Sequence, residues 1–159
     1  MRYPLVYTYN TDVNNTVQYL RFPSKSEANG SRVMRLLRWE WNNYLEVGID
    51  QTGFTVQEMN AYDGDVGLIP GFTGELDSPR TRVAMRYSFA GDAAAATCVG
   101  PLLLSGFYDF PEWSVIVTPW LSIALANDAV TQPITMTGRL FYDYVTMTEA
   151  DAASLNFQY

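Results

Sequence analysis

Histidine is absent from the chain, cysteine occurs once, at Cys98, and lysine once, at Lys25. With no imidazole and a single thiol, the chain cannot build a His/Cys zinc site, a Ser-His-Asp triad, a Cys-His dyad or an intrachain disulfide. Long apolar runs are missing too. The longest, Ala93 to Leu104, is interrupted by Gly100 and Pro101 and is too short to span a membrane. Basic charge is scarce, 10 Lys and Arg against 17 Asp and Glu, which gives a net charge of −7 and a pI near 4.4. Affinity for a phosphate backbone needs many cations, so a protein that grips nucleic acid with its whole surface is excluded. No apolar leader with a small-residue cleavage site follows Met1-Arg2-Tyr3-Pro4, so no secretory signal is expected.

What is present is sheet chemistry. The 159 residues fit one domain, and 48% hydrophobic against 17% charged residues give it a core and rule out a disordered chain. Tyr, Phe, Gly and Pro are spread along the length, with turn clusters about every ten residues. The clearest strand is Arg82 to Phe89, where Val83, Met85, Tyr87 and Phe89 alternate with Arg82, Ala84, Arg86 and Ser88. That period of two puts the apolar set in the core and the arginines outside. Ile134 to Met147 is a second, long strand, in which Gly138 marks a bulge or a close backbone approach. Further strands are expected at Tyr3–Tyr9, Thr16–Phe22, Arg32–Trp41, Tyr44–Ile49, Phe54–Met59, Leu102–Tyr108 and Trp113–Leu125. One helix is expected at the end, with Thr148 as its cap and Glu149 and Asp151 in the positive first turn. About nine strands exceed one simple sheet, so the expected fold is all-β: a two-sheet antiparallel jelly-roll sandwich over residues 1–159, with a short C-terminal helix. An immunoglobulin-like sandwich is the alternative. Asn60 to Pro79 reads as a long excursion, of the kind that serves a function or an assembly contact.

Catalytic equipment is thin. Asp63 with Asp65, and Asp109 with Glu112, are tight acidic pairs outside the terminal helix, and both sit in turn sequences rather than across a cleft. Tyr62 to Gly67 lacks the repeated spacing of a calcium loop, and no glycine-rich phosphate cradle occurs. No enzyme activity, metal or cofactor is therefore expected. Aromatic residues are a second feature: Trp39 and Trp41 share one strand face, and Trp113 and Trp120 lie on another segment. They either stack on sugar rings in a groove or fill the core or a subunit interface, and the second reading is preferred because each buries a large apolar area. Third come the arginines. Arg80, Arg82 and Arg86 share parity on one strand, with Arg32, Arg35 and Arg38 as a second cluster. They present a basic patch to a polyanion or a neighbouring subunit, or else form a solvated face paired with its own carboxylates, and the paired face is the commoner case.

Gly138-Arg139-Leu140-Phe141-Tyr142-Asp143-Tyr144-Val145-Thr146-Met147-Thr148-Glu149-Ala150-Asp151 resembles the end of small viral capsid proteins, where a last long strand of the form G-x-L-x-Y-x-Y-V-x-L runs into a short acidic tail. Arg32 to Trp41, RVMRLLRWEW, is similar to an early strand of virion proteins from small single-stranded RNA or DNA viruses. The resemblance covers about a sixth of the chain and implies a single jelly roll that self-assembles into a shell in the virion, with no catalytic residue to carry over. Many such proteins begin with an Arg/Lys-rich arm that neutralises the genome, whereas this chain begins Met1-Arg2-Tyr3-Pro4-Leu5. The expected partners are thus other copies of the chain and other virion proteins, with nucleic acid held at most weakly and no membrane. A carbohydrate-binding β-sandwich module is the alternative function. Arg82→Ala is expected to change stability little and Met85→Ala to cost roughly 2–5 kcal/mol. Assembly contacts are expected from the Asn60–Pro79 excursion and both chain ends.

Overall fold

The computed structural model describes residues 1–11, 18–45, 53–65, 80–91, 102–128 and 134–157, with the side chains at several strand and helix ends left out. Among the described residues nine strands and one helix follow in order: β1 (Tyr3–Thr11), β2 (Gln18–Pro23), β3 (Val33–Leu45), β4 (Gly53–Asp63), β5 (Thr81–Gly91), β6 (Leu102–Asp109), β7 (Val115–Ile116), β8 (Trp120–Asp128), β9 (Ile134–Val145) and α1 (Glu149–Phe157). One sheet runs β1-β9-β3-β6, with β7 also paired to β3, and the other runs β2-β8-β4-β5. Among the described residues no helix is long and apolar enough to cross a membrane.

The pairings follow one rule. β1 pairs with β9, β2 with β8, β3 with β6 and β7, and β4 with β5, every pair antiparallel. These are successive rungs of one long hairpin that starts at the two chain ends and closes between β4 and β5. Rungs fall alternately in the first and second sheet, so the hairpin is rolled up on itself, which is the connectivity of a jelly roll. β6 and β7 act as one interrupted strand: β6 pairs with Arg38–Leu45 and β7 with Met34 and Arg35, the break falling at Phe110–Ser114.

The core lies between the sheets, filled by Tyr7, Met34, Leu36, Trp39 and Trp41 from one side and Met59, Ala61, Val83, Leu121, Ile123 and Leu125 from the other, with Met136 and Leu140 of β9. Val83 is buried and Met85 packs against this core, as the alternation in β5 requires. The expected core roles of Tyr87 and Phe89 fall outside the described residues. The expected strand at Arg32–Trp41 continues into the next one as a single strand, and the segment expected at Trp113–Leu125 is broken by Val117–Pro119. Thr148 caps α1: its Oγ1 accepts the Asp151 backbone N–H at 3.1 Å.

Two glycines allow close packing. A Cβ on Gly138 would lie 2.7 Å from Cε1 of Tyr7, and one on Gly106 would lie 2.7 Å from Cζ2 of Trp41, so each ring packs directly against a glycine. Tyr7 is fixed in this position by Trp39, whose indole Nε1–H donates to its hydroxyl at 2.9 Å. Burial pushes the Tyr7 hydroxyl well above the ordinary tyrosine range.

Two register shifts set which side chains face out. β3 pairs Leu36 with Tyr142 but Arg38 with Phe141, leaving Leu37 as an extra residue. Inward positions therefore change from Met34 and Leu36 to Trp39 and Trp41, while Arg35 and Arg38, three apart, share the outer face. β5 pairs Val83 with Ala61 but Thr81 with Tyr62, leaving Arg82 as the extra residue.

Candidate functional site

The bulge at Arg82 overturns the expectation that this arginine faces solvent. A bulge re-aims the extra residue, and here it turns the guanidinium inward, so that the Arg82 side chain is 5% exposed and that of Asp63 is 0% exposed. Arg82 Nη2 donates to Asp63 Oδ2 at 2.8 Å and Nε donates to the Val115 carbonyl at 2.7 Å. Asp63 also accepts from the Val117 N–H at 3.1 Å, the Thr118 N–H at 3.0 Å and the Thr118 hydroxyl at 2.7 Å. The node therefore ties the β4–β5 end of one sheet to the β7–β8 segment that leaves the other.

Arg80 is half-buried against Gly64, and the side chain of Arg86 lies outside the described residues. The three arginines thus do not form one solvent-facing comb. The acidic pairs are separated as well. Asp63 is buried with both oxygens occupied, whereas Asp65 is exposed and pairs with Arg21. Asp109 is held by Arg38, with Glu112 exposed in the following turn. Among the described residues no group of three or more Cys, Asp or Glu is arranged to hold a metal ion.

Trp39 and Trp41 are buried in the core, and Trp120 is half-buried under the Arg21 guanidinium, 4.5 Å from its ring centre. Only Trp113 of the four tryptophans projects, 70% exposed in the turn between β6 and β7. Two of the four indoles are thus core.

Among the described residues an open surface lies on the outer face of the β1-β9-β3-β6 sheet. Register places Val6, Arg139, Glu40 and Phe107 side by side across four strands, with Thr8, Thr137, Asn42 and Ser105 as the next row. Both rows line an open groove of roughly 700 Å³. Val6 is 64% and Phe107 61% exposed, two large apolar side chains on the two edge strands of this sheet. By contrast Asn60, Ser122 and Ala124, which point away from the core on the other sheet, are fully covered.

Charges lie on this face as directly opposed cross-strand pairs, one of them within the groove and two beyond it. Arg139 Nη2 donates to Glu40 at 3.0 Å. Arg38 makes a two-pronged contact with Asp109, at 2.5 and 2.9 Å, and Arg35 another with Asp143, at 3.0 and 2.7 Å. Hydrogen bonds from these guanidinium groups hold the Asp109 and Asp143 carboxyls below the ordinary aspartate range. Arg38 also lies over the Phe107 ring, 4.6 Å from its centre. Of the second arginine cluster, Arg35 and Arg38 thus belong to a face paired with its own carboxylates, and Arg32 stacks over Tyr144 at 3.9 Å.

The sequence singled out none of Val6, Phe107, Glu40 or Arg139. Their signal is weak, because only the register brings residues from four distant segments into one row. No protein-family model matches the chain, and no curated protein matches it. A chain in the solved structure of Desmodium yellow mottle tymovirus is similar over 93% of this chain and 91% of its own, at 9% identity and a TM-score of 0.30. A likeness at that level carries no argument about function.

Proposed function

We propose that the chain is a virion structural protein, a subunit of a viral capsid shell formed by self-assembly. The observation that carries this reading is the rolled-hairpin connectivity, whose last strand, β9, carries most of the segment that resembles the end of small capsid proteins. Two further features support it. The outer face of the β1-β9-β3-β6 sheet holds exposed Val6 and Phe107, and Trp113 projects nearby in the chain from the β6–β7 turn. In this reading these side chains meet a neighbouring subunit. The Arg139–Glu40 pair lies in the groove between Val6 and Phe107, with Thr8, Asn42, Ser105 and Thr137 beside it, a mixed polar and apolar face of the kind protein contacts use.

The partners in this reading are other copies of the chain and other virion proteins, and the place of action is the virion. A catalytic role is not proposed, since the carboxylates at Asp63, Asp109 and Asp143 are each held by an arginine. Nucleic acid is expected to bind weakly at best: Arg35, Arg38, Arg82 and Arg139 are engaged with carboxylates, and seven net negative charges oppose a polyanion. No membrane contact is proposed.

A carbohydrate-binding module is the second reading, favoured by Phe107 standing exposed beside Asn42, Ser105 and Thr137 in the groove. Light scattering separates the two, because a shell and a monomeric module differ by roughly tenfold or more in mass. Saturating binding of a neutral oligosaccharide to a stable monomer, abolished by Phe107→Ala, would favour the module.

A further inference from the structure

The four edge strands of the sandwich are guarded unequally. An open edge presents unpaired backbone N–H and C=O groups, and proteins that stay apart blunt such edges with charge, proline, bulges or short length. β2 carries Arg21 and ends in Pro23, β5 carries Arg82 as a bulge and Arg86, and β6 carries Gly106 and ends in Asp109. β1, Tyr-Pro-Leu-Val-Tyr-Thr-Tyr-Asn-Thr, has no charged residue in nine, and its pairing with β9 runs from Tyr3↔Tyr142 to Thr11↔Ile134 without a register shift. Among the described residues no strand pairs with its other edge. Its only guard is Pro4, which interrupts the edge near one end.

Pro4 also fixes which residues the free edge offers. Proline has no N–H, so within a paired strand it sits where that group would point away from the partner. The backbone groups of Pro4, and of the residues at the same parity, Val6, Thr8 and Asn10, then face away from β9. Val6 and Thr8 are solvent-exposed, and Val6 lies in the groove-lining row.

We infer that the free edge of β1 is a docking edge for β1 of a second copy, joining two β1-β9-β3-β6 sheets into one continuous antiparallel sheet across a twofold axis. The inference rests on the shell-subunit reading and specifies one of its contacts. A second copy is the occupant because the edge is self-complementary. About Tyr7 as the centre, Val6 of each copy faces Thr8 of the other and Pro4 faces Asn10, giving about six hydrogen bonds with every available N–H used. Two chains of net charge −7 repel at long range, and β1 is the edge at which they meet with no charge on either strand. The join also brings the two grooves side by side at Val6.

The experiment replaces Val6 by proline in the full chain and measures assembly by light scattering, with the fold checked by circular dichroism and thermal melting. Val6→Pro removes one free-edge N–H per copy and leaves the β1·β9 bonds intact; Val6→Ile is the control that keeps the N–H. The expected result is a folded Val6→Pro protein whose assembly needs a concentration at least about tenfold higher, with Val6→Ile unchanged. Folded Val6→Pro that assembles as the parent does overturns the inference and leaves the shell reading standing. Dimers that Val6→Pro dissociates, with no larger particle under any condition, uphold the inference and overturn the shell reading; a strictly monomeric parent overturns both. Amide exchange on the unmodified chain gives a second readout that does not depend on the variant folding. The Val6 and Thr8 N–H groups should exchange slowly in assembled protein and fast in dissociated protein, and fast exchange in both states overturns the pairing.

Discussion

Arg82→Ala removes the cation paired with the buried Asp63 carboxylate. The Asp63 side chain is 0% exposed, and after truncation it keeps its three donors from Val117 and Thr118 but loses the opposing charge. The Val115 carbonyl loses its donor at the same time. Breaking a buried pair by deleting one partner costs about 3–5 kcal/mol, because the other charge stays in a dry site without compensation. Against a total stability of about 5–15 kcal/mol, that is a large fraction. In urea unfolding, a loss of about 4 kcal/mol lowers the midpoint by about 2 M at a slope of about 2 kcal/mol per molar. Arg82→Lys should recover part of the loss, since one ammonium keeps the charge but lacks the fork that reaches both Asp63 and the Val115 carbonyl. An Arg82→Ala midpoint within about 0.5 M of the parent, with an unchanged slope, would refute the reasoning and mean that water reaches Asp63. This replaces the expectation from strand parity, under which the same substitution was to be almost silent.

Other outcomes follow from the same geometry. Gly138→Ala should destabilise by about 1–3 kcal/mol in chemical denaturation, because the new methyl meets the Tyr7 ring that Trp39 holds in place. Asp109 and Asp143 have carboxyls held below their unfolded range, so their contribution is present above about pH 4 and is lost as pH falls through the folded values. The thermal midpoint should therefore be flat between about pH 7 and 5 and fall below about pH 4, and Arg35→Gln should remove the Asp143 share of that fall. Thr148→Ala should cost about 1 kcal/mol, read by urea unfolding, as the Asp151 N–H loses its cap. Trp113→Ser should leave the melting temperature unchanged and weaken assembly, since that indole is exposed and touches the fold at its margin.

Much of the fold was legible because burial imposes period two wherever a ladder is unbroken. Val83 and Met85 followed from alternation, Gly138 from the cost of glycine inside a strand, and Thr148 from capping chemistry. Parity failed at the bulge, where one extra residue turned Arg82 inward. The Leu36-Leu37 doublet carried the same information for β3, since two adjacent apolar residues between alternating ones signal an inserted position. Asn42 and Asn43 read as a break, yet β9 and β6 hold both flanks of β3 and carry it through. Of the excursion expected from Asn60 to Pro79, Asn60 to Asp63 are strand instead and Gly64 donates to the Trp120 carbonyl, and residues 66–79 lie outside the described residues. The groove was not legible at all. Arg35 meets Asp143 across 108 residues and Arg38 meets Asp109 across 71, distances over which only register, and no local pattern, decides the neighbour.

The central claim is that this jelly roll is a building block rather than a free module, and particle mass tests it most directly. Light scattering on the full chain at micromolar concentration in physiological salt, with electron microscopy of the same sample, should give closed particles at least about tenfold heavier than the 17.9-kDa chain. A monodisperse species of 17.9 kDa across that range would contradict it.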